Sequence, residues 1–374
     1  MSKLAVKNRE NPFKFGSVVN GVHFTNRVNE IQQVKSVLNS VNHLVLIAPR
    51  RFGKTSLIKK TLEGNKCKSI FINMQTINTI EGLAAKLLKK TYDIFTIESL
   101  KNKIKSFRII PDVSINPITQ EVSVSFNPQG QNKIHLLEDV LNMLNSFALK
   151  NNRIVCVLDE FQEIERIDKN LSRQLRSIMQ NHSGINYIFL GSQESMMKYI
   201  FEDKKSPFYH FGSLMNLEPI SKNDFFNYIK QGFYTTGTKI EEAQITEMLL
   251  FTYCHPYYTQ QLAFNVWNNV QLYDQSNDMV ENTINQIVQI HDYDYERLWQ
   301  NLNNTDRKII AGLNNFDSKP LSSEFGKKTG VNSSSTVLSS IKRLVEKGYL
   351  IYSGNTYQIE DPYFKLWIKK FMQQ

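Results

Sequence analysis

The feature that most constrains the fold of this chain is a tight loop that follows a short apolar run. Residues 44–48 are all apolar, residues 49–52 contain one proline and two arginines, and Gly53, Lys54 and Thr55 come next, before a segment with helical spacing. A tight loop between a buried strand and a helix exposes backbone N–H groups at the positive end of the helix. The pattern therefore predicts a phosphate-binding loop in an α/β fold.

The residue types in this loop suit a nucleotide phosphate. Gly53 allows the backbone to approach closely, Lys54 can reach the β- and γ-phosphates, and the hydroxyl of Thr55 can hold Mg²⁺. Ala48 stands where the usual pattern has its first glycine, which is a departure from that pattern. The residues that we expect to bind the nucleotide are Pro49, Arg50, Arg51, Phe52, Gly53, Lys54, Thr55 and Ser56.

A second apolar run ends in two acidic residues, Asp159 and Glu160. At the end of a central strand, Asp159 would hold Mg²⁺ through water, and Glu160 would orient and deprotonate the attacking water. The predicted metal site is thus Thr55 with Asp159, and the predicted cofactors are ATP and Mg²⁺.

The next apolar run ends in Ser192 and Gln193. If its strand lies beside the strand of the phosphate loop, either side chain would lie next to the γ-phosphate. We expect Glu160, Lys54 and Gln193 to be the catalytic residues.

Apolar runs alternate with helical patterns between residues 26 and 220. Strands are predicted at 44–48, 69–74, 153–160, 185–192 and 213–220. Helices are predicted after an N-cap at Asn26 and at 55–62, 80–92, 134–149 and 170–180, with a β-hairpin insertion at 108–128. Alternating strands and helices imply a parallel sheet with helices on both faces. From residue 221 to about residue 297 the pattern is helical throughout.

The last 70 residues predict a winged helix-turn-helix. Its third helix would bury one face, end with Gly348 at the C′ position, and be followed by a hairpin around residues 353–355. That buried face is formed by Val337, Leu338, Ile341, Leu344 and Val345. Such a helix would enter the major groove of duplex DNA. The candidate DNA contacts are Ser334, Thr336, Lys342 and Arg343.

Charge and composition limit the classes of protein to consider. The net charge of +10 favours a polyanionic partner but is a weak argument alone, and after Leu302 eleven Lys and Arg face six Asp and Glu. The three cysteines are far apart and lack CxxC spacing, so neither a zinc site nor a disulfide framework is predicted. We expect a cytoplasmic protein without a signal peptide or a membrane partner, since the apolar runs are too short to span a bilayer.

Seven boxes, taken in order, resemble those of STAND-type and archaeal-type AAA+ ATPases, and the resemblance covers nearly the whole chain. They are FTNRVNEI upstream of the loop, APRRFGKTSL as Walker A, VLDEFQ as Walker B, FLGSQESMM as the sensor strand, LEPISKNDFFNYI leading into the lid, YCHPYYTQQL as the G-x-P box, and YQIEDPYFKLWI closing a winged helix. Cys254 replaces the usual glycine of the G-x-P box.

The resemblance implies both site residues and domain bounds. Phe24 and Arg27 would lie near the adenine, and Pro256 at the start of a lid helix would contact the nucleotide. The implied domains are a P-loop ATPase domain at 1–220, a helical lid at 221–300 and a winged-helix domain at 301–374.

We therefore expect a slow or partner-stimulated ATPase that works as a nucleotide-dependent switch and couples its nucleotide state to DNA or to a partner protein. One alternative is a DNA-binding regulator with structural ATP. Another is an ATP-dependent scaffold in a defence or toxin-control system, with the winged helix as a protein-contact or autoinhibitory module. In a homo-oligomer, Arg173 or Arg176 would serve as an arginine finger, although surface charge is the simpler interpretation of both.

Overall fold

The computed structural model describes residues 10–371 except 65–66, 120, 128–131, 152, 274–275, 317–318 and 354–355. The chain forms two compact units. The sheet unit comprises Arg27–Pro49 and Lys54–Glu218, and the helical unit comprises the residues up to Asn26, Arg50–Gly53 and the residues from Pro219 onward. The domain boundaries predicted at 220 and 300 stay predictions.

Seven strands lie within the described residues of the sheet unit. They are β1 (Leu44–Ile47), β2 (Lys68–Asn73), β3 (Asp112–Ile115), β4 (Val122–Ser125), β5 (Ile154–Asp159), β6 (Ile185–Gly191) and β7 (Ser213–Asn216). Five of them form one parallel sheet in the order β2-β5-β6-β1-β7. Strands β1 and β6 are buried along their whole length, which explains why their sequences are mostly apolar, with Asn186 as a buried polar residue of β6. The predicted parallel sheet is confirmed, although β7 ends four residues earlier than predicted.

Eight α-helices also lie within the described residues of the sheet unit. They are α1 (Val28–Leu38), α2 (Lys54–Glu63), α3 (Ile80–Tyr92), α4 (Ile97–Ile104), α5 (Ile134–Asn151), α6 (Ile164–Ile167), α7 (Leu171–Met179) and α8 (Glu194–Glu202). Helix α3 has the predicted bounds, while α4 was not predicted. The N-cap prediction for α1 was wrong: Arg27 occupies that position in a left-handed conformation, and the amide of Asn26 donates to Asp224 instead.

The predicted hairpin insertion is present as the antiparallel pair β3 and β4. Strand β4 packs on α3, and Lys89 of that helix pairs with Glu121 at 2.7 Å. Residues 120 and 128 of the predicted insertion lie outside the described residues.

The helical unit contains nine helices and two strands within its described residues. They are α9 (Lys222–Thr235), α10 (Glu242–Thr252), α11 (Pro256–Leu272), α12 (Met279–Ile290), α13 (Asp292–Gln300), α14 (Asn304–Asn315), α15 (Ser323–Thr329), α16 (Ser334–Glu346), β8 (Leu350–Ser353), β9 (Thr356–Ile359) and α17 (Pro362–Phe371). Phe13 also belongs to this core, where its ring lies 5.4 Å from that of Phe233.

Helices α14–α16 and the antiparallel pair β8–β9 form the predicted winged helix. Gly348 follows α16 with φ +76°, as expected of a C′ glycine. Val337, Ile341 and Leu344 are buried, but Leu338 is 36% exposed, so the apolar face of α16 is narrower than predicted. The turn residues 354 and 355 lie outside the described part of the chain. No helix among the described residues is long and apolar enough to cross a bilayer.

Candidate functional site

The side chain of Lys54, at the start of α2, points back to carbonyl groups of the preceding loop. Gly53 has φ +88°, a left-handed conformation that favours glycine and turns the chain into α2. Lys54, the first residue of α2, is only 6% exposed, and its Nζ donates to the carbonyl oxygens of Ala48 at 2.8 Å and Pro49 at 3.1 Å. Phosphate oxygens can replace these carbonyls as acceptors, so the lysine is arranged as a phosphate-binding loop requires.

The two predicted metal ligands lie together in the sheet unit. Oγ1 of Thr55 donates to Oδ2 of Asp159 at 2.8 Å. Burial raises the pKa of Asp159, as does the nearby charge of Glu160, while Thr55 and Lys54 act against that rise. A hydroxyl beside a carboxylate offers the hard oxygen ligands that Mg²⁺ prefers, so these residues fit that ion.

The carboxylate of Glu160 is held by three hydrogen bonds. Its Oε2 accepts from Oγ of Ser192 at 2.5 Å, from the backbone N–H of Ser192 at 3.2 Å and from Nε2 of Gln162 at 2.6 Å. Glu160 itself has φ +56°, a left-handed conformation that is uncommon outside glycine. Its hydrogen-bond partners are all neutral groups, so the side chain is positioned without an ion pair.

Strand β6 ends just before Ser192 and lies between β5 and β1. It is therefore the neighbour of the phosphate-loop strand, which is the condition for the predicted position of Ser192 or Gln193 next to the γ-phosphate. Gly191 precedes the serine, and a Cβ at that position would lie only 2.2 Å from Cγ of Met197. Ser192 therefore contacts Glu160, whereas Gln193 is the N-cap residue of α8. The sequence predicts Gln193 as a catalytic residue, which stays a prediction, and it gave no signal for Gln162.

The other predicted nucleotide-binding residues are divided between the two units. In the sheet unit, Arg27 is buried and pairs with Glu30 at 2.7 Å. Its Nη2 has no hydrogen-bond partner among the described residues. Ser56 is buried in α2. In the helical unit, Pro256 is the first residue of α11, and Phe24 follows His23.

The carbonyl of His23 anchors the residues before Phe24 in the helical unit. It accepts hydrogen bonds from Gln260 at 3.0 Å and from Tyr228 at 3.3 Å. The residue before Phe24 is thus fixed to α9 and α11.

Four arginines of the phosphate loop and of α7 have distinct surroundings. Arg50 and Arg51 are both exposed, and the guanidinium of Arg51 lies 4.4 Å above the ring of Tyr257. Arg176 lies 4.2 Å from the ring of Phe211, and burial, followed by the charge of Arg176, lowers the pKa of His43, which precedes β1. The loop follows the opposite end of β1, so Arg176 lies away from the loop of its own chain, while Arg173 is exposed.

The candidate DNA contacts on α16 also differ from one another. Ser334, Thr336 and Lys342 are exposed. Arg343 instead donates to Asp306, from Nε at 2.9 Å and from Nη2 at 2.5 Å. Burial acts to raise the pKa of Asp306, but the hydrogen bonds from Arg343 and Ser340 lower it overall. The charge of Arg343 is therefore compensated inside the winged helix, which the sequence did not predict.

Comparison with known proteins agrees with this arrangement. A family model described as an ATPase domain predominantly from Archaea matches residues 24–262, and one described as a probable winged helix domain matches residues 293–370. None of the curated proteins matches the chain.

Two solved structures share the fold. A Walker-type ATPase of Pyrococcus abyssi is 17% identical and covers 93% of this chain and 96% of its own, with a TM-score of 0.67. The ORC2 protein of Aeropyrum pernix, in ADPNP–ADP complexes, is 14% identical and covers 97% and 100%, with a TM-score of 0.55. The predicted P-loop fold with a C-terminal winged helix is confirmed.

Proposed function

We propose that this chain, which belongs to the family of ATPase domains found predominantly in Archaea, binds ATP with Mg²⁺ at its phosphate loop and hydrolyses it slowly. The observation that carries the proposal is the arrangement at the carboxyl edge of the sheet. There, Lys54 is buried and donates to a loop carbonyl, and Thr55 donates to Asp159. Glu160, the next residue after Asp159, accepts a hydrogen bond from Ser192.

Each of these side chains has one task in the proposed reaction. Lys54 exchanges the carbonyls of Ala48 and Pro49 for phosphate oxygens and stabilises their negative charge. Thr55 and Asp159 would hold Mg²⁺, which neutralises charge on the phosphates when bound. Glu160 orients the attacking water and takes its proton.

The three hydrogen bonds to Glu160 support slow turnover. All three donors bind Oε2, so the lone pairs of that oxygen are already occupied and an attacking water would have to displace a donor. Ser192 and Gln162 must therefore yield, at least in part, before Glu160 accepts a proton from water. A partner that shifts the end of β6 would increase the rate, which is how we propose that turnover is stimulated.

We further propose that the nucleotide state controls binding of the winged helix to duplex DNA. The supporting observation is the polar surface of α16, where Ser334, Thr336 and Lys342 are exposed. A hollow of about 510 Å³ adjoins this surface and is lined by Asn303, Asn304, Thr305, Ser335, Thr336, Ser339 and Arg343. Hydroxyl and amide groups of this kind donate to phosphate oxygens and fix the register of a protein on DNA.

Nucleotide titration tests the first proposal. Lys54→Ala should weaken ATP binding by at least about tenfold, because hydrogen bonds from a charged group to phosphate are lost. A fluorescent ATP analogue titrated into the full chain gives the affinity. The matched control is Lys59→Ala on the same helix, an exposed lysine 5.6 Å from the ring of Phe71, which should bind as the wild type does. Equal affinity of folded Lys54→Ala and wild type would contradict the site.

A further inference from the structure

Arg51 of the phosphate loop is held by two tyrosines of α11. Its Cζ lies 4.4 Å from the ring centroid of Tyr257, and the next residue, Tyr258, lies near enough to raise the pKa of the guanidinium. Burial acts to lower the pKa of Arg51, yet Tyr258, Tyr257 and Glu360 raise it overall. Arg51 also has φ +64°, a left-handed conformation that costs energy for a residue with a Cβ. The tyrosine contacts offset that cost.

The next loop residue packs on the same end of α11. Phe52 is 4% exposed, and its ring lies edge to face with that of His255 at 4.7 Å between centroids. Nδ1 of His255 accepts a hydrogen bond from the backbone N–H of Tyr257. The Nε2 atom of His255 is buried and has no hydrogen-bond partner within the described part of the chain. Burial, followed by the charge of Arg51, lowers the pKa of His255 to about 3. A neutral histidine therefore packs against the loop, and two neighbouring loop residues are fixed to one helix end.

A half-buried carboxylate just before α17 completes the group. Oδ1 of Asp361 accepts from the backbone N–H groups of Tyr363 at 2.8 Å and Phe364 at 3.2 Å, which caps the first turn of that helix. Burial raises the pKa of Asp361, while the charge of Arg51 lowers it. A ring contact links the same end of α11 to α17, because the ring of Tyr258 lies edge to face with that of Tyr363 at 6.0 Å between centroids.

We propose that Arg51 is a positioning residue that couples the phosphate loop to α17, the last helix of the C-terminal region, through Tyr257, Tyr258 and Asp361. The inference rests on the proposed nucleotide binding. A nucleotide that fixes the loop fixes Arg51 on its tyrosines, and the carboxylate just before α17 keeps its compensating charge. Loop order and the stability of the first turn of α17 then change together, which gives nucleotide binding a direct effect on the winged-helix end of the chain.

Hydrogen exchange of the full chain, with and without saturating ADP, tests this coupling. In the wild type, ADP should slow exchange of the backbone amides at residues 363–368 by roughly 3- to 30-fold, the range of one cation–aromatic contact. In Arg51→Asn, saturating ADP should leave the exchange rate of those backbone amides unchanged. Asparagine tolerates the left-handed conformation, so the variant removes the guanidinium without adding backbone strain.

Three further variants separate coupling from simple loss of structure. Arg51→Lys keeps a cation over Tyr257 and should retain part of the response, and Tyr258→Phe should weaken it by removing the hydroxyl. The matched control is Lys365→Met, which removes another cation–aromatic contact of α17, at 5.2 Å from the ring of Tyr253. This control should keep the full response to ADP.

The outcomes also separate the inference from the function on which it rests. If ADP binds and residues 363–368 do not respond in the wild type, or respond equally in Arg51→Asn, the coupling is contradicted and the proposed function stands. If ADP does not bind the wild type, the proposed function fails and the coupling fails with it.

Discussion

Two groups of carboxylates, one at the edge of the sheet and one in the winged helix, are stabilised by different kinds of partner. At the sheet edge, Asp159 accepts from the hydroxyl of Thr55, and Glu160 accepts from Ser192 and Gln162. In the winged helix, the fully buried Asp306 forms an ion pair with Arg343. Neutral donors can exchange their acceptors at small cost, whereas breaking an ion pair that includes a buried charge is expensive.

This difference separates the residues that we propose to react from the residues that hold the fold. In the proposed function, the sheet edge accepts phosphate, metal and water in place of its present hydrogen bonds. Arg343, in contrast, forms an ion pair with Asp306. Its charge therefore contributes less to a DNA-binding surface than the count of basic residues after Leu302 suggests. Of the two basic residues predicted to contact phosphates, Lys342 is the better candidate.

The largest expected effect on stability is that of removing Asp306. Asp306→Ala leaves Arg343 and Ser340 without their acceptor, and the free energy of unfolding should fall by about 2 to 3 kcal/mol. This is below the range for a fully buried pair because the guanidinium is partly exposed. Urea unfolding followed by tryptophan fluorescence measures the loss. A change below about 0.5 kcal/mol would show that this ion pair is as exchangeable as the sheet-edge contacts.

Buried histidines provide a second test, through the pH dependence of the free energy of unfolding. Burial lowers the pKa of both His43 and His182 to about 4, and both lie in the sheet unit. The unfolded chain binds these protons near pH 6.5, so their contribution to stability is fully present above that pH and is lost as the pH falls towards 4. Each histidine should reduce the free energy of unfolding by about 1.4 kcal/mol per pH unit in this window.

Urea titrations at pH 7, 6 and 5 measure that slope. His182→Gln keeps a hydrogen-bonding side chain near Tyr187 and Asn142 but does not titrate, so its slope should be shallower by about 1.4 kcal/mol per pH unit. Identical slopes for the variant and the wild type would mean that His182 titrates normally in the folded protein.

The smallest expected effect concerns DNA. Lys342→Ala should weaken binding similarly for all duplex sequences and flatten the slope of log affinity against log salt by about 0.9, the value of one phosphate contact. Arg343→Ala should act mainly through stability, because its partner Asp306 is left buried. A filter-binding salt series on both variants separates these effects. Absence of duplex affinity at low salt, with and without ATP, would favour a protein-contact role for the winged helix.

Much of the fold could be predicted because its signals are local. Helix α3 begins after Thr79, whose hydroxyl accepts from the N–H of Gly82, and its predicted bounds agree with the structure. Strands β1 and β5 contain unbroken apolar runs, and Asp159 and Glu160 follow the run in β5 directly. The loop residues and Asp159 were therefore predicted from spacing alone.

The remaining features depend on contacts between distant residues. Arg343 and Asp306 are 37 positions apart, and the bond from Ser192 to Glu160 spans 32. The partners of Arg51 lie on α11, more than 200 positions along the chain. A sequence shows which side chains are charged, but the fold decides which acceptor each of them reaches.

Phosphate release at saturating ATP and Mg²⁺ tests most directly whether Glu160 is a base held by exchangeable hydrogen bonds. Glu160→Gln keeps the shape of the side chain and can still accept from Ser192, but it cannot take a proton from water. Its rate should fall by roughly 100-fold or more while ATP stays bound. Ser192→Ala, the matched control, removes one donor and keeps the carboxylate, so it should retain at least about a tenth of the wild-type rate. A Glu160→Gln protein that binds ATP and releases phosphate at the wild-type rate would contradict the account.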